Sequence, residues 1–378
     1  MNSDGKSLQI GIDARILDKG ITGTGRCLYN LLEEIPKVDV SNKYFVFSGI
    51  DLDIDKNFFE HIISPSPSLI PFKIYSPLWL NKTLPYFLNK YKIDILFSPN
   101  VLIPNIKSSQ VKYISVIHDI FTFTLKEYYP RSYRYYLSFL LPKTLKKTDK
   151  VITSSEYTKK EIVRIFNINP DKIEVIFSCI PNTFQKIKTN TSSSDFTDTI
   201  KSKKYLLYVG VIEKRKNLMG LIRIIDKLKE GGSKLDLFIV GRPGYGYSDI
   251  EKEIQKRSES IKCLNSVNDE LLLNLYKNAF AFIFPSYFEG FGIPPLEAMQ
   301  QGIPVLASNS SSLLEVVGDG GILHDPDDVA GFSNDIQRLE NEPEFYNQMR
   351  YKAIKQATRF NINKETQKLV KIFNSLVG

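Results

Sequence analysis

Short apolar runs alternate with amphipathic segments of helical length along this 378-residue chain. The runs predict buried strands, and the segments, with apolar residues every three to four positions, predict helices. Alternating strands and helices favour parallel sheets covered by helices on both faces. In the first half the predicted strands are Leu8–Ile12, Tyr44–Phe47, Ile93–Phe97, Tyr113–Ile117, Val151–Thr153 and Ile173–Phe177, and two of the predicted helices are Arg26–Ile35 and Tyr157–Phe166.

A second alternating series follows the polar, Ser/Thr-rich stretch 186–204, which predicts a linker or mobile loop. A chain of this length is too long for one core. We therefore predict an α/β protein of two Rossmann-like domains, residues 1–185 and 205–360, facing across a cleft, and a last helix, 361–378, that packs back on the first domain. The second half contains the predicted strands Tyr205–Val209, Leu235–Val240, Ala279–Phe284 and Pro304–Ala307 and the predicted helices Leu218–Leu228, Glu270–Tyr276, Leu296–Gln301 and Lys364–Val377.

The charge and cysteine content narrow the possible partners and compartments. Lys and Arg number 50 against 42 Asp and Glu, a formal net charge of +8. This balance favours anionic partners such as nucleotides or phospholipid head groups, although a basic surface without a specific role would look the same. The cysteines Cys27, Cys179 and Cys263 have no metal-ligand or disulfide-framework spacing, which indicates a reducing compartment. The polar segment Met1–Ser7 and the lack of a long apolar run predict a cytoplasmic protein without a signal peptide or membrane span.

Two glutamates with seven residues between them, Glu289 and Glu297, follow the predicted strand Ala279–Phe284. Gly290 and Gly292 allow backbone N–H groups to approach a ligand closely. A carboxylate accepts two hydrogen bonds from a vicinal diol, and a helix N-terminus favours negative charge. The motif predicts a loop that binds sugar and nucleotide, with Glu297 in the first turn of the next helix. The alternative is a tight turn in which Glu297 only complements the helix dipole.

A basic segment follows the predicted strand Tyr205–Val209 and precedes a helix that Asn217 is expected to cap. Arg215 and Lys216 therefore lie beside a helix N-terminus. A guanidinium, an ammonium group and free amides suit a diphosphate without a metal ion. The alternative is a solvated basic turn, and the nearby glutamate motif favours phosphate binding instead.

His118 follows the predicted strand Tyr113–Ile117 and precedes Asp119. An imidazole at a strand end can donate to a sugar hydroxyl or stabilise developing charge. A lone histidine is more often structural, so the residues alone leave both roles open.

A glycine-rich run, Gly23-Thr24-Gly25-Arg26, stands before the first predicted helix. It fails the G-x-G-x-x-G fingerprint of nicotinamide-binding proteins, because Leu28 stands where the third glycine belongs. An ordinary flexible turn is the alternative to a ligand-binding loop.

The segment from Glu289 to Glu297 is similar to the E-x7-E motif of the retaining GT-B glycosyltransferases, in particular of the group 1 family, also known as glycosyltransferase family 4. The similarity implies that Glu289 contacts the transferred sugar and Glu297 the nucleotide ribose. It also implies that the amides of Gly290, Phe291 and Gly292 face the sugar and the phosphates. Several motifs follow in the expected order, so the resemblance covers both halves of the chain.

The same resemblance implies roles for the basic pair and the histidine. Family members carry basic residues at the positions of Arg215 and Lys216, although many also have an arginine where this chain has Val211. They commonly carry His-Asp at the positions of His118 and Asp119, facing the donor sugar.

Two loops complete the donor site that the resemblance implies. Gly23, Thr24 and Gly25 correspond to the first-strand loop, which touches the donor phosphate or the acceptor. Arg242 lies in the loop after the predicted strand Leu235–Val240, near the nucleobase, where it reaches the base or a phosphate or only shapes the turn.

The stretch from Glu127 to Lys147 is rich in tyrosine and basic residues. It predicts either an interfacial helix on an anionic membrane or a core helix with solvated basic residues. The predicted apolar face consists of Tyr136, Leu137, Leu140 and Leu141.

The sequence as a whole predicts a retaining hexosyltransferase of the GT-B fold. Its expected partners are a nucleotide-sugar donor, with GDP-mannose favoured over UDP-sugars, and an oligosaccharide or lipid-linked acceptor of a bacterial surface polysaccharide. We expect no cofactor, no required metal and no nucleic acid, and a location in the cytoplasm, at the inner face of the membrane. The DxD-like run 51–55 is expected to be a surface loop. The alternatives are a nucleotide-sugar epimerase or hydrolase of the same fold and a non-catalytic nucleotide-binding protein.

Overall fold

A computed structural model describes residues 7–20, 23–65, 72–106, 108–125, 128, 131–180 and 204–377. The chain divides into two units. The first contains residues 1–123, 131–179 and 361–378, and the second contains residues 124–130 and 180–360.

In the described part of the first unit, seven parallel strands form one sheet in the order β3-β2-β1-β4-β5-β6-β7. The order reverses between β1 and β4, so the carboxyl ends of these two strands mark the switch point at which open α/β sheets bind ligands. The strands are β1 Gln9–Asp13, β2 Lys43–Ser48, β3 Phe59–Ile63, β4 Ile95–Ser98, β5 Lys112–Ile117, β6 Lys150–Thr153 and β7 Ile173–Val175.

In the described part of the second unit, six parallel strands form a sheet in the order β10-β9-β8-β11-β12-β13. Its order reverses between β8 and β11. The strands are β8 Tyr205–Val209, β9 Asp236–Val240, β10 Ile261–Leu264, β11 Ala281–Phe284, β12 Val305–Ser308 and β13 Ile322–His324.

Helices connect most of the successive strands in the described residues, whereas β2 passes to β3 through residues 49–58, which contain no helix. In chain order the helices are α1 Gly23–Val38, α2 Phe72–Leu78, α3 Leu84–Lys90, α4 Phe121–Thr124, α5 Arg131–Lys147, α6 Glu156–Phe166, α7 Leu218–Glu230, α8 Tyr247–Gln255, α9 Asp269–Asn278, α10 Ile293–Gln300, α11 Leu313–Val316, α12 Val329–Asn341, α13 Pro343–Ala357 and α14 Ile362–Val377. None of them combines the length and hydropathy that crossing a membrane requires.

The sheet of the first unit is buried on both faces because successive side chains of a strand point to opposite sides. Along β4, Ile95 and Phe97 belong to one core cluster and Leu96 to another. The first cluster also contains Leu369 and Phe373 of α14. The last helix of the chain therefore packs within the first unit.

The strands that the sequence failed to predict are edge strands. β3, β10 and β13 each lie at the end of a sheet, and each alternates or exposes part of its side chains. An edge strand contacts one neighbour only, so it needs no continuous apolar run. Continuous apolar runs therefore mark the buried strands of both sheets but not these three edge strands.

The boundary between the units differs from the predicted one at residue 185. Among the described residues, Ile180 already belongs to the second unit, and so do residues 124, 125 and 128. The predicted linker, apart from Lys204, lies outside the described residues.

Helix α5 buries the predicted apolar face only in part: Leu141 is buried and Leu137 and Leu140 are partly buried, but Tyr136 is exposed. Leu141 and Leu145 are buried, whereas Tyr135, Tyr136 and Phe139 are exposed. Tyr136 was predicted on the apolar face together with Leu141, but the sheet below buries only the side that carries Leu141.

Candidate functional site

The basic pair lies in a tight turn after β8. Residues Lys214–Lys216 form one 3-10 turn, and Asn217 then caps α7 by accepting the N–H of Gly220 at 3.0 Å. Asn217 has a φ of +55°, in the left-handed region. The predicted cap is therefore confirmed, and it turns the chain directly after Lys216.

The loop after β9 supports the loop after β8. The N–H of Ile212 donates to the carbonyl of Arg242 at 2.9 Å, and the N–H of Gly244 donates to the carbonyl of Ile212 at 2.9 Å. A Cβ atom on Gly241 would lie 1.8 Å from the carbonyl oxygen of Gly210. This close backbone approach explains the glycine, because any side chain would push the two loops apart.

Arg215, Lys216 and Glu289 meet in one buried ion cluster. The Nζ of Lys216 lies 2.5 Å from Oε1 of Glu289, and Nη1 of Arg215 lies 3.5 Å from Oε2. Nη2 of Arg215 lies 2.6 Å from Oε1 of Glu213. The tertiary structure thus brings together three residues that the sequence had assigned to two separate motifs.

Charge and burial oppose each other in this cluster. Burial disfavours the ionised form of Glu289, but the charges of Lys216 and Arg215 hold its pKa below the usual value. Burial lowers the pKa of Lys216, although Glu289 opposes that shift. A buried ion pair is costly to break unless another charge replaces the lost partner. The cluster is therefore a site at which an anion can take the place of the carboxylate.

The loop that carries Glu289, residues 285–292, is fixed by side chains from neighbouring segments. Arg215 donates to the carbonyl of Phe288, and the N–H of Tyr287 donates to the carbonyl of Arg215 at 3.1 Å. Gly292 ends the loop with a φ of +115°, which only glycine adopts readily. Residues 285–292 are called the glutamate loop below.

Glu297 lies one turn further along α10 than predicted. The helix begins at Ile293, so Glu297 falls in its second turn instead of its first, and the dipole argument does not apply to it. Its buried carboxylate accepts a hydrogen bond from the hydroxyl of Tyr276 at 2.7 Å. Glu297 is thus held by α9 and belongs to a different local environment from Glu289.

His118 occupies the predicted position at the carboxyl end of β5, in the first unit. Its imidazole makes a hydrogen bond with the carbonyl of Pro99, while Nε2 is buried without a partner. Burial lowers the pKa of His118 to about 4. The ring is therefore neutral near pH 7, with Nδ1 protonated towards Pro99 and Nε2 available as an acceptor. This corrects the expected donor role.

The glycine-rich run lies inside a helix and not in a turn before it. Gly23, Thr24 and Gly25 form the first turn of α1, so their N–H groups are those of a helix N-terminus. Arg242 is exposed in the loop after β9, where its carbonyl oxygen holds Ile212.

The DxD-like run is a surface feature of the first unit, as expected. Asp51 lies 2.8 Å from Nζ of Lys56 and is largely exposed. Among the described residues no group of three or more His, Cys, Asp or Glu side chains is arranged to hold a metal ion.

The polar residues that support the two glutamates have no clear signal in the sequence. Tyr276 belongs to the apolar pattern of a predicted helix, which indicated a core residue. Glu213 directly precedes the basic residues of its segment, and no separate role was predicted for it. The serines after β12 were also overlooked. They follow a strand that had been predicted, so the rule that ligands lie beyond strand ends offered a signal for them.

Two family models cover most of the chain. Residues 21–182 match the model described as Glycosyltransferase Family 4, and residues 191–356 match the one described as Glycosyl transferases group 1. The motif-based prediction of the family is thereby confirmed.

Relatives and solved structures agree with this assignment. The O-antigen chain mannosyltransferase B of Escherichia coli is 33% identical over 260 residues, which cover 68% of this chain and 68% of that protein. The O-antigen chain mannosyltransferase RfbU of Salmonella typhimurium is 29% identical over 342 residues, 86% of this chain and 90% of that protein. The structure of Anabaena HepE in complex with UDP and glucose matches with a TM-score of 0.75 at 17% identity, over 97% of this chain and 100% of that one, and so shares the GT-B fold. The chain belongs to the group 1, or family 4, glycosyltransferases and is a glycosyltransferase.

Proposed function

We propose that the protein transfers a sugar, with retention of anomeric configuration, from a nucleoside diphosphate sugar to a hydroxyl of an oligosaccharide or lipid-linked glycan in polysaccharide synthesis. The observation that carries the proposal is the buried cluster of Arg215, Lys216 and Glu289. The names of the two mannosyltransferase relatives support the class of product, since both act on O-antigen chains.

In the proposed reaction the donor diphosphate replaces Glu289 as the partner of Lys216 and Arg215. The two cations then stabilise the charge that develops on the leaving diphosphate. The released carboxylate of Glu289 accepts hydrogen bonds from the sugar hydroxyls, and Nε2 of His118 accepts one more. The acceptor hydroxyl attacks the anomeric carbon on the face that the diphosphate leaves. Its proton passes to the departing phosphate oxygen, so positioning and charge stabilisation supply the catalysis.

For the other residues of the donor site we propose the roles that the sequence indicated. Glu297, held by Tyr276, is proposed to bind the ribose diol. The amides of Gly290, Phe291 and Gly292 are proposed to face the sugar and the phosphates. The amides of Gly23, Thr24 and Gly25 contact donor phosphate or acceptor, and Arg242 contacts the base or a phosphate. We propose GDP-mannose as the donor, on the names of the relatives, and a UDP-sugar as the alternative, which is supported by the UDP in Anabaena HepE.

A panel of GDP, UDP, dTDP and ADP, with and without magnesium, tests the donor site through the melting temperature. A ligand that binds the native state raises the melting temperature by mass action. We expect one nucleoside diphosphate to shift it without magnesium, and Lys216→Ala to remove that shift. No shift from any nucleotide would contradict the donor site.

Product analysis separates transfer from the alternatives. With the preferred nucleotide sugar, a transferase requires a glycan acceptor, whereas an epimerase or hydrolase consumes the donor without one. A non-catalytic nucleotide-binding protein leaves the donor intact in both cases.

We further propose that α5 contacts an anionic membrane surface. Its exposed side carries Tyr135 and Phe139, with the Nζ of Lys143 3.4 Å from the ring centroid of Phe139. The helix contains five basic and no acidic residues. Aromatic side chains at head-group depth beside lysines are typical of interfacial helices.

Vesicle sedimentation tests this contact. The protein should sediment with phosphatidylglycerol vesicles and not with phosphatidylcholine vesicles, and Phe139→Ala combined with Lys143→Ala should abolish sedimentation. Tyr351→Ala, which removes an equally exposed aromatic residue from the second unit, is the matched control. Equal sedimentation of the double variant and the wild type would refute the proposal.

A further inference from the structure

A serine-rich segment at the carboxyl end of β12, residues 308–312, holds the backbone around Glu289. The N–H of Glu289 donates to Oγ of Ser311 at 2.8 Å. The Oγ of Ser312 donates to the carbonyls of Glu289 and Phe291, at 2.9 and 2.8 Å. Both serines are buried. The N–H and the carbonyl of Glu289 are therefore both tied to this segment, which we call the serine segment.

The serine segment also fixes the start of the glutamate loop. Ser308 and Ser310 both donate through Oγ to the carbonyl of Ser286, the latter at 2.9 Å. Ser286 in turn donates through its own Oγ to Oε1 of Glu289 at 2.6 Å. The hydroxyl of Ser286 thus holds the carboxylate of Glu289 from one side, and the serine segment in turn holds the backbone of Ser286.

We propose that Ser311 and Ser312 are positioning residues for sugar transfer. They act through the backbone of the glutamate loop and set the place of the Glu289 carboxylate, which contacts the sugar. The loop has no helix or strand of its own, so its backbone groups need hydrogen-bond partners from other segments, and at Glu289 the two serines supply them. A misplacement of about 1 Å lowers the rate of a positioned reaction by about 100-fold. This inference rests on the proposed function.

The backbone of Ser311 shows how strongly the segment is shaped for this contact. Its φ is +50°, a left-handed conformation that a serine adopts at a cost. A glycine would adopt the same φ without that cost. Serine at this position adds a hydroxyl that accepts a hydrogen bond from the N–H of Glu289, although its backbone is strained.

Ser311→Gly is the first test, because it removes the hydroxyl and relieves the strain. GDP-mannose and GDP serve as probes, or UDP-glucose and UDP if the wild type prefers them. We expect kcat for transfer to fall by about 10- to 100-fold, while the Kd of the nucleoside diphosphate alone does not rise. The cations proposed to bind the diphosphate, Arg215 and Lys216, lie in the turn after β8, outside both the glutamate loop and the serine segment. An unchanged kcat would overturn the inference.

A pair of variants at Ser312 and a control elsewhere complete the experiment. Ser312→Ala should lower kcat as Ser311→Gly does, and Ser312→Thr, which keeps the hydroxyl, should restore most of it. Ser333→Ala is the control. It removes another buried serine hydroxyl of the same unit, which donates a hydrogen bond to the carbonyl of Val329 in α12, and it should leave kcat unchanged. If transfer and nucleoside diphosphate binding fall together, the serines only stabilise the fold and the inference is wrong. If the wild type binds no nucleoside diphosphate, the proposed function fails and the inference fails with it.

Discussion

At the scale of single residues, the carboxylate of Glu289 already neutralises the cations proposed for the donor diphosphate. Lys216 is buried, so its ammonium charge needs a negative partner in the folded protein. Glu289 supplies that charge in the structure, and in the proposed reaction a diphosphate supplies it instead. Under that proposal the same residue competes with the leaving group and, once released, contacts the sugar.

This competition predicts that Glu289→Gln binds GDP or UDP more tightly than the wild type does. Without the carboxylate, Lys216 is left uncompensated, and an anionic ligand gains its full attraction. We expect the Kd to fall by about tenfold, which corresponds to about 1.4 kcal/mol, while sugar transfer is lost. Isothermal titration calorimetry measures the affinity.

Asp236→Asn is the control for this variant. Asp236 is a buried acid of the same unit that lies 3.3 Å from Nζ of Lys229 at the amino end of β9. It should change the stability but leave the nucleotide affinity unchanged. A weaker affinity of Glu289→Gln would show that the carboxylate does not occupy the diphosphate site.

His118 predicts a pH dependence of stability. Its pKa in the folded protein is about 4, against 6.5 for an ordinary histidine, because the ring is buried. Below pH 6.5 the unfolded chain binds a proton that the folded protein excludes, so stability falls as the pH decreases. Between pH 6.5 and 5 the free energy of unfolding of the wild type should fall by about 1.6 kcal/mol more than that of His118→Asn. Urea unfolding at several pH values measures this difference, and parallel curves would contradict it.

At the scale of elements, the site depends on how strands pass into helices. β8 leads into α7 through residues 210–217, which end in the 3-10 turn Lys214–Lys216 and the cap Asn217, and β11 leads into α10 through the glutamate loop. Both transitions contain a residue with positive φ, Asn217 in the first and Gly292 in the second. Their backbone geometry places the basic pair and Glu289 at adjacent strand ends.

Asn217 predicts an unusual order of stability among its variants. Asn217→Ala loses the cap of α7 and must also adopt a φ of +55°, so it should destabilise the protein by about 2 kcal/mol. Asn217→Gly loses the cap but adopts that φ freely, and it should be the more stable of the two variants.

Asn268 provides the matched comparison for this order. It caps α9 by accepting the N–H of Leu271 at 2.8 Å, with an ordinary φ of −72°. The advantage of glycine over alanine should therefore be smaller at Asn268 than at Asn217. Denaturant unfolding gives the four free energies, and an equal advantage at the two positions would refute the role of positive φ.

At the scale of the whole molecule, the two ends of the chain belong to the same unit. α14 follows the second unit in sequence but packs against α1, and its Asn363 donates to Glu34 at 2.9 Å. Phe373 is fully buried and its ring lies 5.8 Å from that of Phe97. The first unit is therefore completed only when the last residues are in place.

Phe373→Ala should destabilise the first unit by about 3–5 kcal/mol, because it leaves a cavity between α14 and the sheet. Hydrogen exchange of the amides of β1 and β4 should accelerate, while exchange in β8 and β9 should stay unchanged. Lys371→Ala, on the exposed side of the same helix, is the control and should have little effect. Equal acceleration in both units would contradict the assignment of α14 to the first unit alone.

The sequence by itself determined the central architecture and the order of the motifs. Buried central strands such as Tyr205–Val209 carry continuous apolar runs, and this local signal placed the basic pair, His118 and Glu289 after the correct strands. The start of α1 and of α10 was misplaced, because glycines and prolines mark both loops and first helical turns.

Only the tertiary structure decided which of these residues meet. Glu289 and Lys216 are 73 positions apart, and their ion pair follows from the adjacency of β8 and β11 in the sheet. The protonation of His118 and the hold of the serine segment on Glu289 depend likewise on burial and on contacts between distant segments. A local pattern records which face of an element is apolar, whereas charge, pKa and position at a site arise from neighbours that the chain brings together only when it folds.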